Sequence, residues 1–170
     1  QNAITLGKQL GINHFALSFA NTGSDVDLIR SLAGKDAFII SKVESRQALL
    51  HLDEIIDLSD AILIDRGDLS REIAIEAIPI AQRRIIKRAR LRNRSVYVAT
   101  NLLESMISSP GPTRAEVNDV YSTLEQGASG LVLAAETAIG ENPVASAGMV
   151  KRLVSVFQSD DDRDEYQQIE

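Results

Sequence analysis

Five apolar runs, each followed by a segment of helical periodicity, constrain this chain more than any other feature. The runs are His14–Phe19, Ala37–Glu44, Ala61–Asp68, Ser95–Asn101 and Gly130–Thr137. They are nearly continuous in Ile, Val, Leu and Ala, as strands of a parallel sheet covered on both faces are. Between them, Ser24-Asp25 opens a helix that reaches Ala33 and stops at Gly34. A second covers Ser45 to Leu58, and a third Glu72 to Leu91 with a restart or kink at Pro79. Thr113-Arg114-Ala115-Glu116 has the spacing of a capping box, and Asn142-Pro143 begins a last helix. A short helical piece, Ala3–Leu10, precedes the first strand. Strand starts at 14, 37, 61, 95 and 130 are separated by 23, 24, 34 and 35 residues. Regular β-α alternation of this kind predicts an α/β fold with a parallel sheet, open or closed into a barrel.

Two features favour the barrel. No G-x-G-x-x-G follows the first strand and no G-x-x-x-x-G-K-[ST] occurs anywhere, against a dinucleotide or P-loop fold. Polar, reactive residues also end several strands rather than one, and strand C-termini form the working face of a (β/α)8 barrel. Five strands cannot close eight, so the 170 residues are expected to be an incomplete half. The chain begins with Gln1, and no signal-peptide pattern precedes the first strand, as in an excerpt of a longer chain. Residues 1–158 read as the barrel part and 159–170 as an acidic tail or linker.

No apolar stretch approaches the roughly 18 residues of a membrane span. Cys is absent, which removes disulfides and thiolate metal sites and fits a reducing compartment, a cytoplasm or plastid stroma. A net charge of −6 argues against a dedicated nucleic-acid binder. The run from Arg83 to Arg94, with seven basic residues, reads first as the solvated face of an amphipathic helix, and second as a polyanion patch.

The chemistry concentrates in Ile40-Ser41-Lys42-Val43-Glu44 and Ile64-Asp65-Arg66-Gly67-Asp68-Leu69. Strand periodicity points Lys42 and Glu44 one way, and Arg66 and Asp68 likewise. Neighbouring strands would bring Glu44 and Asp68 together with Lys42 close by. Two carboxylates at buried strand ends need a neutralising cation, and hard oxygen donors select magnesium or manganese. A rim network of Lys42 and Arg66 with these acids is the structural alternative. Lys42 could stabilise charge developing on a phosphoryl group or enolate oxygen. Gly67 could admit a ligand to the backbone, leaving the Asp68 amide for an anion, or serve as a turn glycine. Thr100 could present its hydroxyl to the same pocket or cap the segment Leu102–Ile107. Glu136 is expected to pack or support, and His14 and His51 fit no triad or zinc pattern.

In their order and spacing, I-S-K-V-E, R-G-D-L, A-T-N-L-L-E-S-M-I, P-T-R-A-E-V-N-D-V and A-E-T-A-I-G-E-N-P resemble pyruvate kinase, from Phe15 to about Val156. The resemblance implies strands four to eight of a (β/α)8 barrel. It also implies transfer of the phosphoryl group of phosphoenolpyruvate to ADP, with magnesium and commonly potassium. By position, Lys42 resembles the lysine that assists phosphoryl transfer, and Glu44 and Asp68 resemble the divalent-metal ligands. Gly67, Asp68 and Thr100 resemble the residues holding phosphoenolpyruvate. A homo-oligomer is implied through Ser108–Asp119.

The chain departs from the family pattern at Asp65, where a small residue is usual, and at Ser70, where glycine is. Asn101 is a milder change. Ile139 stands in place of a lysine associated with nucleotide phosphates, and Asn21 in place of an arginine. Three readings follow: a pyruvate kinase-like phosphotransferase, a catalytically impaired paralogue acting as a subunit of an assembly, or another magnesium enzyme of pyruvate-like acids.

Overall fold

A computed structural model describes residues 2–160; the acidic residues 161–170 lie outside the described range. The described residues form two compact units, 2–99 with 126–132 and 100–125 with 133–160. The first unit holds the whole sheet: β1 (His14–Leu17), β2 (Phe38–Val43), β3 (Ala61–Asp65), β4 (Ser95–Ala99) and β5 (Gly130–Val132). The strands pair in parallel in the order β1-β2-β3-β4-β5. Consecutive parallel neighbours with helical crossovers are what successive strands of a (β/α)8 barrel give.

The helices of this unit are α1 (Asn2–Gln9), α2 (Gly23–Ala33), α3 (Arg46–Leu50), α4 (Leu52–Leu58), α5 (Arg66–Glu72) and α6 (Ile78–Arg90). They bury one face of the sheet. Ile39, Val43, Ile62, Ile64, Val96 and Val98 pack with Leu52, Ile55, Ile56, Ile85 and Ile86, all fully or almost fully enclosed. Each such side chain contributes about 1.5–3 kcal/mol of burial. The opposite face is only half covered: along β2, Phe38, Ile40 and Lys42 are partly exposed while Ile39, Ser41 and Val43 are buried. In a closed barrel that face is covered by the strands across the barrel.

Several boundaries differ from those expected. The apolar run at 61–68 is a strand only to Asp65, because the Asp65 carboxylate accepts the Asp68 N–H at 3.4 Å and caps α5. Arg66 and Asp68 therefore sit on a helix, and their strand alternation does not hold. The segment 45–58 breaks into α3 and α4 at His51. Pro79 lies in the first turn of α6, after a 3-10 turn at Ile75–Ala77, so it restarts the helix rather than kinking it.

The basic run divides into faces. Arg88 and Arg92 bind Asp53 at 2.7 and 3.2 Å, and Arg92 binds Asp57 at 2.7 Å, both acids lying one turn apart on α4. Arg83, Lys87 and Arg90 instead border an open cavity of about 490 Å³ with Leu91 and Gln126.

The second unit contains a 3-10 turn (Glu104–Ile107), α7 (Arg114–Glu125), α8 (Ala135–Ala138) and α9 (Pro143–Gln158). Its entry is pinned by Glu116. That carboxylate accepts the Ser105 and Thr113 N–H groups, each at 2.7 Å, and both hydroxyls. The Glu116 N–H returns to Thr113 Oγ1 at 3.2 Å, which completes the expected capping box.

Candidate active site

Sheet register builds the site. Lys42 lies level with Leu63 and Val43 with Ile64. One step further sets Glu44, the first residue beyond β2, at the level of Asp65, the last of β3. The acid nearest Glu44 in register is thus Asp65 rather than Asp68. The Lys42 ammonium meets Glu44 Oε1 and lies 3.3 Å from Asp65 Oδ2. Carboxylate oxygens of Glu44, Asp65 and Asp68 all lie within 4.8 Å of one another.

Glu44 is 0% exposed. Its Oε2 accepts the Phe19 N–H at 2.6 Å. Its Oε1 has no neutral hydrogen-bond donor among the described residues and faces the ammonium alone. Phe19 offers its amide from a left-handed backbone, φ 51°, strained for a bulky residue. Asn21 fixes the same loop: its N–H donates to Asp25 Oδ2 at 3.0 Å, and its Oδ1 accepts the Ser45 hydroxyl at 2.5 Å. Ser45 in turn caps α3 by accepting the Ala48 N–H. Asn21 is therefore a clamp that holds the turn after Glu44.

Burial opposes a charge on Lys42, but the hydrogen bond and charge of Glu44, joined by Asp65, outweigh it and hold the ammonium above its ordinary pKa of 10.5. Lys42 stays cationic across the physiological range. Asp68 sits in the first turn of α5, half-exposed, with Arg71 Nη1 3.3 Å from its Oδ1. Its amide is taken by Asp65, so the open anion-binding N–H expected behind Gly67 is occupied by an internal carboxylate. Gly67 occupies the second helical position of α5. Arg66 is buried and donates to Gln82 Oε1 at 3.5 Å.

Thr100 belongs to the second unit, one residue beyond β4. The 3-10 turn starts at Glu104 behind Leu103, so Thr100 is not its cap. Thr100 and Asn101 both adopt left-handed backbone, φ 66° and 54°. For a β-branched residue that conformation costs about 1–2 kcal/mol, an outlier of the kind found at functional loops.

Glu136 lies in α8 rather than on the last strand, which ends at Val132. It is 1% exposed and accepts the Leu103 and Ala134 N–H groups at 3.1 and 2.9 Å, a packing role as expected. Ile139, just after α8, is 76% exposed and offers no charge. Ser70 sits within α5 and donates to the Gly67 carbonyl at 2.8 Å, so it imposes no restriction on a following turn. His14 and His51 make local surface contacts, with Asn13 at 2.8 Å and Glu54 at 3.4 Å.

The hard-oxygen donor set, with one buried oxygen lacking a neutral donor, fits a small divalent cation. Five consecutive parallel strands with helical crossovers define part of a (β/α)8 barrel, with a lysine–carboxylate cluster at the C-terminal ends of two of them. The family model "Pyruvate kinase, barrel domain" matches residues 1–147. Three curated relatives, each named pyruvate kinase, are similar to this chain. The Thermotoga maritima protein is 44% identical over 154 residues, covering 88% of this chain and 33% of its own length. The Methylorubrum extorquens protein is 42% identical over 91% of this chain and 32% of its own length. The Pyrobaculum aerophilum protein is 40% identical over 84% and 32%. The chain belongs to the pyruvate kinase family. It spans about a third of the length of the relatives it matches.

Proposed function

We propose that this chain supplies the second half of the catalytic barrel of a pyruvate kinase, which transfers the phosphoryl group of phosphoenolpyruvate to ADP. The observation that carries this is the convergence of Lys42 and Glu44 at the end of β2 with Asp68 in the first turn of α5, in a chain of this family. Glu44 and Asp68 would hold magnesium or manganese, with potassium as a second cation. The divalent ion, when bound, neutralises charge on the transferring phosphoryl group. Lys42 adds a fixed positive charge on the same side, held by Glu44. Gly67, Asp68 and Thr100 would contact phosphoenolpyruvate, and Ser108–Asp119 would contribute to an oligomer. There is little covalent work for the protein, so positioning and charge carry the rate.

The test is pyruvate formation by the full-length protein from phosphoenolpyruvate and ADP with magnesium and potassium. Lys42→Met is expected to lower turnover by about 10²–10³, the size typical of one lost electrostatic stabiliser. No turnover, together with no magnesium-dependent binding of phosphoenolpyruvate, would overturn the proposal.

One observation favours a second reading, a catalytically impaired paralogue. Asp65 engages both Lys42 and the Asp68 amide, two groups that an incoming anion would otherwise meet. Exposed Ile139 offers no charge to a nucleotide. If these two positions silence the site, Asp65→Ala with Ile139→Lys should restore turnover.

A further inference from the structure

We infer that Asp65 is a third carboxylate ligand of the divalent cation, alongside Glu44 and Asp68, and sets the affinity of this chain for that ion. The inference rests on the proposed metal site and adds a ligand to it. Three observations carry it. Register places Asp65, at the end of β3, level with Glu44, while Asp68 lies three residues further on in α5. Asp65 and Glu44 already share one cation, the Lys42 ammonium, which shows that the space between them is shaped for positive charge. The ligand oxygens of all three acids lie within 4.8 Å of one another. Oxygens around an octahedral magnesium ion stand about 3.0 Å apart when adjacent and about 4.2 Å when opposite, so rotation of the three carboxylate side chains would draw them onto one ion.

The charge count points the same way. The Lys42 ammonium is shared by Glu44 and Asp65, and Arg71, itself exposed, lies 3.3 Å from Asp68. A divalent ion would add positive charge among the three carboxylates. It would also repel the Lys42 ammonium, turning it from Asp65 toward an anion in the pocket. Asp65 holds Lys42 here and would release it to the extent that an ion took its carboxylate.

Mn²⁺ titration of the full-length protein without substrate, followed by electron paramagnetic resonance of the free ion, tests this. Asp65→Asn removes the charge yet keeps the helix cap, since Asn caps as well as Asp. It is expected to weaken Mn²⁺ binding at least tenfold, as Glu44→Gln should; Asp65→Ala, with no oxygen, should lose as much or more. A ligand does not act through the lysine, and without Lys42 the ion no longer competes with the ammonium for Asp65, so a loss of at least tenfold should persist when Asp65→Asn is made in a Lys42→Met background. Unchanged affinity in Asp65→Asn and Asp65→Ala, or a loss that vanishes without Lys42, would overturn the inference while the site at Glu44 stands. A wild-type protein that binds no Mn²⁺ would overturn the metal site itself.

Discussion

Glu44 and Glu136 are glutamates of equal depth, 0% and 1% exposed, each within its own compact unit, yet their oxygens are treated differently. Glu136 gives one oxygen to the Leu103 N–H and the other to the Ala134 N–H. Backbone dipoles satisfy it, and it ties α8 to the loop ahead of the 3-10 turn. Glu44 gives one oxygen to the Phe19 N–H, and its other oxygen meets a cation. A buried carboxylate completed by amides is part of the scaffold; one completed by a side-chain ammonium can exchange that partner for a metal ion. Burial alone does not separate a site from a strut. The identity of the last hydrogen-bond partner does.

Parallel substitutions break or sharpen the contrast. Glu136→Gln sets an amide NH2 against a backbone N–H, and urea unfolding should show a loss of about 2 kcal/mol with Mn²⁺ affinity unchanged. Glu44→Gln can still accept from Phe19 but turns its NH2 toward the Lys42 ammonium, so it should also cost about 1–3 kcal/mol, while Mn²⁺ affinity falls at least tenfold. Equal stability losses with equal metal binding would erase the distinction.

A smaller effect concerns Glu116, in the second unit. Burial opposes its charge, but the hydroxyl and N–H of Ser105, followed by Thr113, outweigh burial and hold it below its ordinary value of 4.5. A depressed acid contributes stability that is present above its unfolded pKa and lost as pH falls through the folded one. Glu116→Ala should therefore cost about 1 kcal/mol near neutrality and flatten the acid limb of the stability curve below pH 4.5.

The smallest effect is alkaline. The pKa of Lys42 is raised, so its contribution is complete below 10.5 and is lost as pH rises through the folded value. The ammonium is partly exposed, so the change should stay under about 1 kcal/mol. It should be absent in Lys42→Met, as thermal unfolding between pH 9 and 12 would show.

Much of this was legible before any coordinates. The alternation of β-branched runs with capped helical segments placed five strands and most helices, because apolar periodicity and Gly or Pro stops act locally. The capping box at Thr113–Glu116 was readable for the same reason, its partners being three residues apart. Lys42 and Glu44 were found because both stand at the end of one strand. Asp65 was read only as a departure from a family pattern, since nothing local reveals that its carboxylate caps α5 and reaches Lys42. The Phe19 amide carried no side-chain signal at all.

The sequence by itself determined the parallel α/β architecture, the family, and the lysine and acids at the strand ends. Only tertiary structure decided which acid stands beside Glu44, because strand register and the end of β3 depend on contacts between segments about 20 residues apart. A period-2 pattern extends a strand until something stops it. Here the stop is the Asp65 side chain itself, which turns onto the Asp68 N–H and makes the strand a helix.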